Sequence, residues 1–413
     1  MRRVLPSVTV SFGRSTTALL AATLLSGCGA MTHTIANSEP VAEGLSYQSQ
    51  YRSEAQKQLA RFADSSAALN AMRCTGDDTR APARAAIFPD SELLSQGDLL
   101  DVSVGDDDTF SGSYEVSQDG MLKLPHVAAV PAHGQSVMAV EAAINQALIA
   151  GGLYQTSPRV SVRVTDFASA RVFVGGAVFE PGTVTVGGAS GKDIDPARQE
   201  ARGGTAEGRR LSRALQSAAG IRPDADLSRI TIQRGGRTIT VDARPAIDGQ
   251  PYNDLLLLAG DRIEVPSRGC FQEALMVPSP VTAPGVTVFM SNLTQPATGN
   301  APSAIGKEAR ELRYGTRFMQ AVVGMNCVGG ARLTNADRAA VLFTHNPITG
   351  ASIVIERRIE DMLGRADRDD FDPYILPGDA LACYDSTITN VFELARGFGV
   401  IAATVAVSAA VAP

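Results

Sequence analysis

The chain has 413 residues, a formal net charge of −6, 19% charged and 44% hydrophobic residues. This length predicts more than one domain, and this balance excludes a disordered chain. An acidic chain without a dense lysine/arginine stripe excludes a phosphate-reading nucleic-acid partner, and with no tryptophan a stacking platform for bases or sugars is not evident.

At the N-terminus Arg2, Arg3 and Arg14 form a basic start, an apolar run follows from Ala18, and Leu25-Ser26-Gly27-Cys28 closes it. That layout predicts a secretory signal over residues 1–27, too short to span a membrane. The small residues before Cys28 resemble the lipobox of bacterial lipoproteins, which implies a lipidated Cys28 as the mature N-terminus. A plain cleavable signal with an accidental cysteine is the alternative. Gly29, where an Asp would be the retention mark, resembles an outer-membrane address, and the acyl chains supply several anchoring signals at once. Residues 28–86 are polar and read as a tether, with a weak helical pattern between Tyr47 and Met72.

Residues 87–170 predict a compact α+β unit. Gly97-Asp98 makes a turn that launches a strand, since Gly reaches positive φ and Asp bonds a nearby amide. Asp119-Gly120 between two short alternating runs predicts a hairpin. Ser136 caps a helix whose Val137, Val140, Ile144, Ala147 and Leu148 share one face. Val160, Val162 and Val164 then alternate as a strand.

The Gly-Asp device recurs at Gly260-Asp261 and Gly378-Asp379. Two and four residues on stand Leu100 and Val102, Ile263 and Val265, Leu381 and Cys383, each pair on one face of a strand. From Val172 to Asp261 is 89 residues and from Val286 to Asp379 is 93, with matching elements between. The spacing predicts a helix near 210–219 against one near 317–327. Strands follow at 230–234 and 341–345, then at 238–242 and 352–357. This is a duplicated β-rich domain over 171–268 and 285–386, the first copy carrying a Gly/Arg-rich insertion at 187–208 that reads as a mobile surface loop. Residues 388–412 carry no charge after Arg396 and, as a helix, would extend about 37 Å at roughly 1.5 Å per residue, near a bilayer's thickness. Glu393, Gly397, Thr404 and Ser408 recur near helical spacing and are candidates for a wet lumen; Phe392, Val400, Val407 and Val411 fall largely elsewhere.

No catalytic constellation stands out, and none is expected. Asp106-Asp107-Asp108 lacks a calcium-loop frame and reads as a solvated loop. The acidic cluster Glu360, Asp361, Asp367, Asp369, Asp370 and Asp372, mixed with Arg365 and Arg368, reads as a charged surface loop. His126 and His133 flank a turn and are expected to be exposed. No Gly-x-Ser-x-Gly elbow or Walker loop occurs, and no cofactor or metal is implied. Cys74, Cys270, Cys327 and Cys383 remain for a compartment that permits disulfides, with no metal-ligand spacing. Four cysteines do not disclose their pairing. Cys327–Cys383, within one repeat, is the favoured pair, and two small buried thiols are the alternative.

Taken in order, these features resemble the polysaccharide biosynthesis/export family, the Wza-type outer-membrane exporters. The carriers are Gly97-Asp98, Tyr114, Asp119-Gly120, Leu124-Pro125, Gly134-Gln135-Ser136 and Pro158 with the valine alternation. Val174 to Gly182, with Pro181-Gly182, is similar to the family's link into its first β-grasp domain. The stretch after Leu124-Pro125 lacks the family's usual glycine, and 293–299 is only loosely similar to the second link. The resemblance implies an export domain, two β-grasp (SLBB) domains and a C-terminal membrane-spanning helix. It also implies a homo-oligomeric ring of about eight subunits at the outer membrane, with the C-terminus at the cell surface. Its implied partners are outer-membrane lipid, a polysaccharide polymer and an inner-membrane polysaccharide co-polymerase. The alternatives are a periplasmic carbohydrate-binding SLBB lipoprotein, or an accessory ring docking to a separate β-barrel.

Overall fold

The Gly-Asp pairs at 97–98, 260–261 and 378–379 close one and the same turn. In each, the aspartate carboxylate accepts from the amide three residues earlier: Ser95 on Asp98 at 2.7 Å, Leu258 on Asp261 at 2.9 Å, Leu376 on Asp379 at 2.8 Å. The preceding glycines have φ of +86°, +88° and +87°, a left-handed conformation that a Cβ would strain. The computed structural model describes residues 47–48, 71, 73–75, 93–105, 107–188, 206–292, 310–325, 327–328, 338–364 and 371–384. All of them fall in one compact unit.

The protein is a mixed α+β chain. Its first sheet has the order β2-β1-β5, built from β1 (Leu99–Val104), β2 (Gly112–Glu115) and β5 (Val160–Asp166), all antiparallel. A two-stranded ribbon of β3 (Met121–Leu122) and β4 (Val130–Pro131) lies beside it. Helix α1 (Val137–Ala150) is capped by Ser136, whose hydroxyl accepts from the Ala139 amide at 3.2 Å, and buries Val140, Ile144 and Leu148. These meet Leu100, Val102 and Val104 in one core. The hairpin expected across Asp119-Gly120 is corrected. The turn forms, with Ser117 N donating to Met121 O at 2.9 Å, but β2 and β3 do not pair with each other beyond it. Val116 is already engaged with Gly97 and Asp98 through both backbone groups, so the incoming strand stays with β1 and the outgoing one joins β4.

Two five-stranded sheets follow, with orders β7-β6-β10-β8-β9 and β12-β11-β15-β13-β14. The first contains β6 (Ala170–Gly176), β7 (Gly182–Val186), β8 (Ile230–Arg234), β9 (Arg237–Val241) and β10 (Arg262–Val265), with helix α2 (Leu211–Ser217). The second contains β11 (Val286–Asn292), β12 (Arg310–Leu312), β13 (Ala339–His345), β14 (Ser352–Arg358) and β15 (Ala380–Tyr384), with α3 (Phe318–Gly324) and α4 (Ile359–Gly364). In both, the strand after Gly-Asp runs parallel to the first strand and antiparallel to the middle one. The repetition reaches single hydrogen bonds. Asp254 Oδ1 accepts from the Ser212 amide at 2.9 Å and Asp372 Oδ1 from the Met319 amide at 2.8 Å, each capping the helix of its repeat seven residues before the Gly-Asp aspartate. Leu100, Val102, Ile263, Val265, Leu381 and Cys383 are all buried, so each of these three strands sends the same face into a core.

Three expectations are corrected. Asp372 is not in a solvated loop: it is 6% exposed, because the helix N-terminus it caps needs an acceptor. His133 is half-buried, its ring pressed beside Gly120, and burial lowers its pKa; His126 is exposed at φ +55°. Parts of the predicted tether belong to the body. Tyr47 and Gln48 are buried, and Cys74 forms a disulfide with Cys270, Cα atoms 4.8 Å apart. Cys327 and Cys383 form a second disulfide with Cα atoms 6.1 Å apart, joining the end of α3 to β15.

Candidate functional site

Cys28 and the lumen candidates Glu393, Gly397, Thr404 and Ser408 lie outside the described residues, as does most of the 187–208 insertion. Among the described residues no helix is long and apolar enough to cross a membrane, and no group of three or more His, Cys, Asp or Glu is placed to hold a metal. What the described residues do assemble is a pair of junctions that fix the first unit on the repeats and the repeats on each other.

The first junction is a buried ion pair. Arg209, just ahead of α2, sends Nη1 to Asp98 Oδ1 at 2.9 Å and Oδ2 at 3.2 Å, and Nη2 to Leu93 O at 3.3 Å. Its guanidinium lies 4.9 Å from the centre of the Phe167 ring. Asp98 also accepts from the Ala168 amide at 2.9 Å. Burial raises the Asp98 pKa, while Arg209 and the Ser95 and Ala168 amides oppose the rise. Gly187 is required here: at φ +76° it sits where a Cβ would overlap Arg209 Cγ. Ser95 Oγ also accepts from the Ala259 amide at 3.0 Å, so the first Gly-Asp turn rests directly on the second.

The second junction centres on Asp224, which is fully buried. Arg222 grips it with Nε at 2.9 Å and Nη2 at 2.7 Å, and reaches across with Nη1 to Pro347 O of the second repeat at 3.0 Å. Ser267 Oγ donates to Asp224 at 2.5 Å and the Tyr47 hydroxyl at 2.9 Å. Burial and the Asp224 charge raise the Tyr47 pKa, so the hydroxyl keeps its proton and donates. Gln48, beside it, clamps the Tyr374 backbone from both sides, Nε2 to O at 2.9 Å and N to Oε1 at 2.8 Å. An N-terminal dipeptide thus bridges both repeats.

A surface groove of about 650 Å³ runs along α1 and β5, lined by Met138, Glu141, Ala142, Asn145, Ile149 and Val160 among others. Two of its polar groups have structural tasks: Glu141 accepts from the Val162 amide at 2.8 Å, and Asn145 donates to Pro158 O at 2.8 Å. Asp107, from the predicted solvated loop, accepts the Tyr154 hydroxyl at 2.5 Å, a contact that lowers its pKa. Sequence reasoning missed Arg209, Asp224, Tyr47 and Gln48. Their only signal was a charged or amphipathic residue in a polar stretch, which says nothing of its distant partner.

Residues 89–165 match the family model described as polysaccharide biosynthesis/export protein. The matched region holds the β2-β1-β5 sheet, the ribbon and α1. The chain therefore carries a polysaccharide biosynthesis/export domain, and that domain supports a role in polysaccharide export or biosynthesis. No curated protein matches the chain.

Proposed function

From a chain that carries an export domain, we propose an outer-membrane subunit of a polysaccharide translocon, without enzymatic activity of its own. One observation carries the reading: the matched domain is followed by two sheets of identical strand order, tied to it and to each other by buried polar contacts. Such a stack offers broad domain sides for contact between copies, and a head-to-tail contact that closes gives a ring. In this reading the sheets are β-grasp domains, Cys28 carries the lipid, and residues 388–412 form the pore wall. A lone spanning segment in lipid must satisfy its own backbone hydrogen bonds and so is a helix. Glu393, Gly397, Thr404 and Ser408 face the lumen, an inner-membrane co-polymerase feeds the ring from below, and the polymer leaves at the cell surface.

An epitope tag fused after Pro413 tests this. Antibody is expected to reach the tag on intact, unpermeabilised cells, and Cys28→Ser is expected to abolish fatty-acid labelling and release the protein from the outer-membrane fraction. A tag reached only after the outer membrane is broken refutes the spanning pore, and labelling unchanged in Cys28→Ser refutes the anchor.

A further inference from the structure

The two repeats use the same turn but satisfy it differently. In the first, Arg234 at the end of β8 completes Asp261: Nε donates to Oδ1 at 2.9 Å, and Nη2 donates to Oδ2 at 2.5 Å and to Leu256 O at 2.7 Å. One guanidinium neutralises the carboxylate and covers the carbonyl five residues before it.

The strand registers identify the corresponding group in the second repeat. Arg262 faces Gln233 in the first sheet and Ala380 faces Phe343 in the second. The next residue along the middle strand is therefore Arg234 in one and Thr344 in the other. Threonine reaches neither target as the arginine does. The carbonyl five residues before Asp379 is that of Tyr374, and it is covered by Gln48 from the N-terminal segment. The carboxyl gains no such cation among the described residues: Asp379 is fully buried, its Oδ1 is left without a well-formed hydrogen bond, and Thr344 offers it only a neutral hydroxyl.

We propose that the second repeat is closed by a proton where the first is closed by an arginine, so that the turn at Asp379 is a pH-responsive latch on β15. A protonated carboxyl carries an O–H that can turn to Thr344 Oγ1, whereas the ionised form buries a charge with no cation against it among the described residues.

Among the described residues, the following charged and titratable groups on neighbouring elements are exposed or engaged elsewhere. His345, next to Thr344 on β13, is exposed and alternates to the opposite face. Arg357 of β14 donates to Phe371 O at 3.2 Å. Arg317 and the Tyr374 hydroxyl meet at Glu273, and Asp372 caps α3. Glu311 of β12 is exposed at the far edge of the sheet. Burial accordingly pushes the Asp379 carboxyl from 3.8 up to about 7, against lowering by Thr344 and the Leu376 amide.

The sign follows. With the folded value above the unfolded one, the carboxyl destabilises nothing below about 4, and its cost is complete above about 7. The second repeat tightens in mild acid and loosens at neutral pH.

Hydrogen exchange on the full oxidised chain between pH 5 and 7 tests it, with protection corrected for intrinsic exchange. β15 amides are expected to lose up to about tenfold in protection per pH unit, the slope of one proton, while β10 amides, with Arg234 in place, stay level. Asp379→Asn, which keeps an acceptor for the Leu376 amide and cannot ionise, is expected to flatten β15, as is Thr344→Arg by restoring the arginine. A flat β15 in the wild type, or the same slope in Asp379→Asn, overturns the proposal. If either variant fails to fold, the wild-type contrast between β15 and β10 decides it alone.

Discussion

Asp98 and Arg209 are 0% and 1% exposed in their side chains, and a pair so deeply buried is costly to break from one side. Asp98→Ala would strand the guanidinium against Phe167 and free the Ser95 and Ala168 amides at once. It is expected to cost about 3–5 kcal/mol, read from the midpoint of chemical denaturation. Replacing both partners by apolar residues, as Asp98→Leu with Arg209→Met, should recover part of that loss, because no uncompensated charge remains. Gly187→Ala acts on the same pair from outside. Its Cβ displaces the arginine stem from a position where the backbone is already left-handed, so it should resemble Asp98→Ala in direction.

Each repeat depends on one aspartate that caps its helix from a distance. Asp254→Ala and Asp372→Ala are each expected to cost about 1–2 kcal/mol, the range of a lost N-cap. Circular dichroism during thermal unfolding should show the melting point fall in both, and Asn at either position should restore most of it. The elements were legible where periodicity is strong: Ile230, Ile232 and the β15 alternation set strand and face, and Ser136 set the start of α1. The caps were not legible. Asp372 stands beside Asp369 and Asp370 in a run that reads as solvated, and its burial follows from a helix start some fifty positions earlier in the chain. The flanks of Asp119-Gly120 were misassigned for a related reason. A turn signal is local, whereas the choice of strand partner belongs to Gly97 and Asp98, far from the turn.

At the scale of the molecule, the segment after Cys28 is structural as well as connecting. Its polar composition concealed this, since Tyr47, Gln48 and Cys74 are anchored by partners 177, 326 and 196 residues away. Closing a loop of 196 residues removes unfolded-state entropy worth about 5 kcal/mol, less any strain. Cys74→Ser is therefore expected to lower the melting temperature and remove much of its sensitivity to reductant. The remaining sensitivity belongs to Cys327–Cys383, and non-reducing peptide mapping should recover both linked pairs. Tyr47→Phe deletes only the hydroxyl on Asp224 and should cost less than Cys74→Ser, since Arg222 and Ser267 still hold that carboxylate.

The insertion of Tyr47 between the repeats also sets a distance. Tyr47 stands only 19 positions after Cys28, and fully extended backbone advances at most about 3.3–3.6 Å per residue. With a lipid on Cys28, the seam at Asp224 stays within about 65 Å of the bilayer surface. An insertion of ten residues before Tyr47 would raise that upper limit by about half.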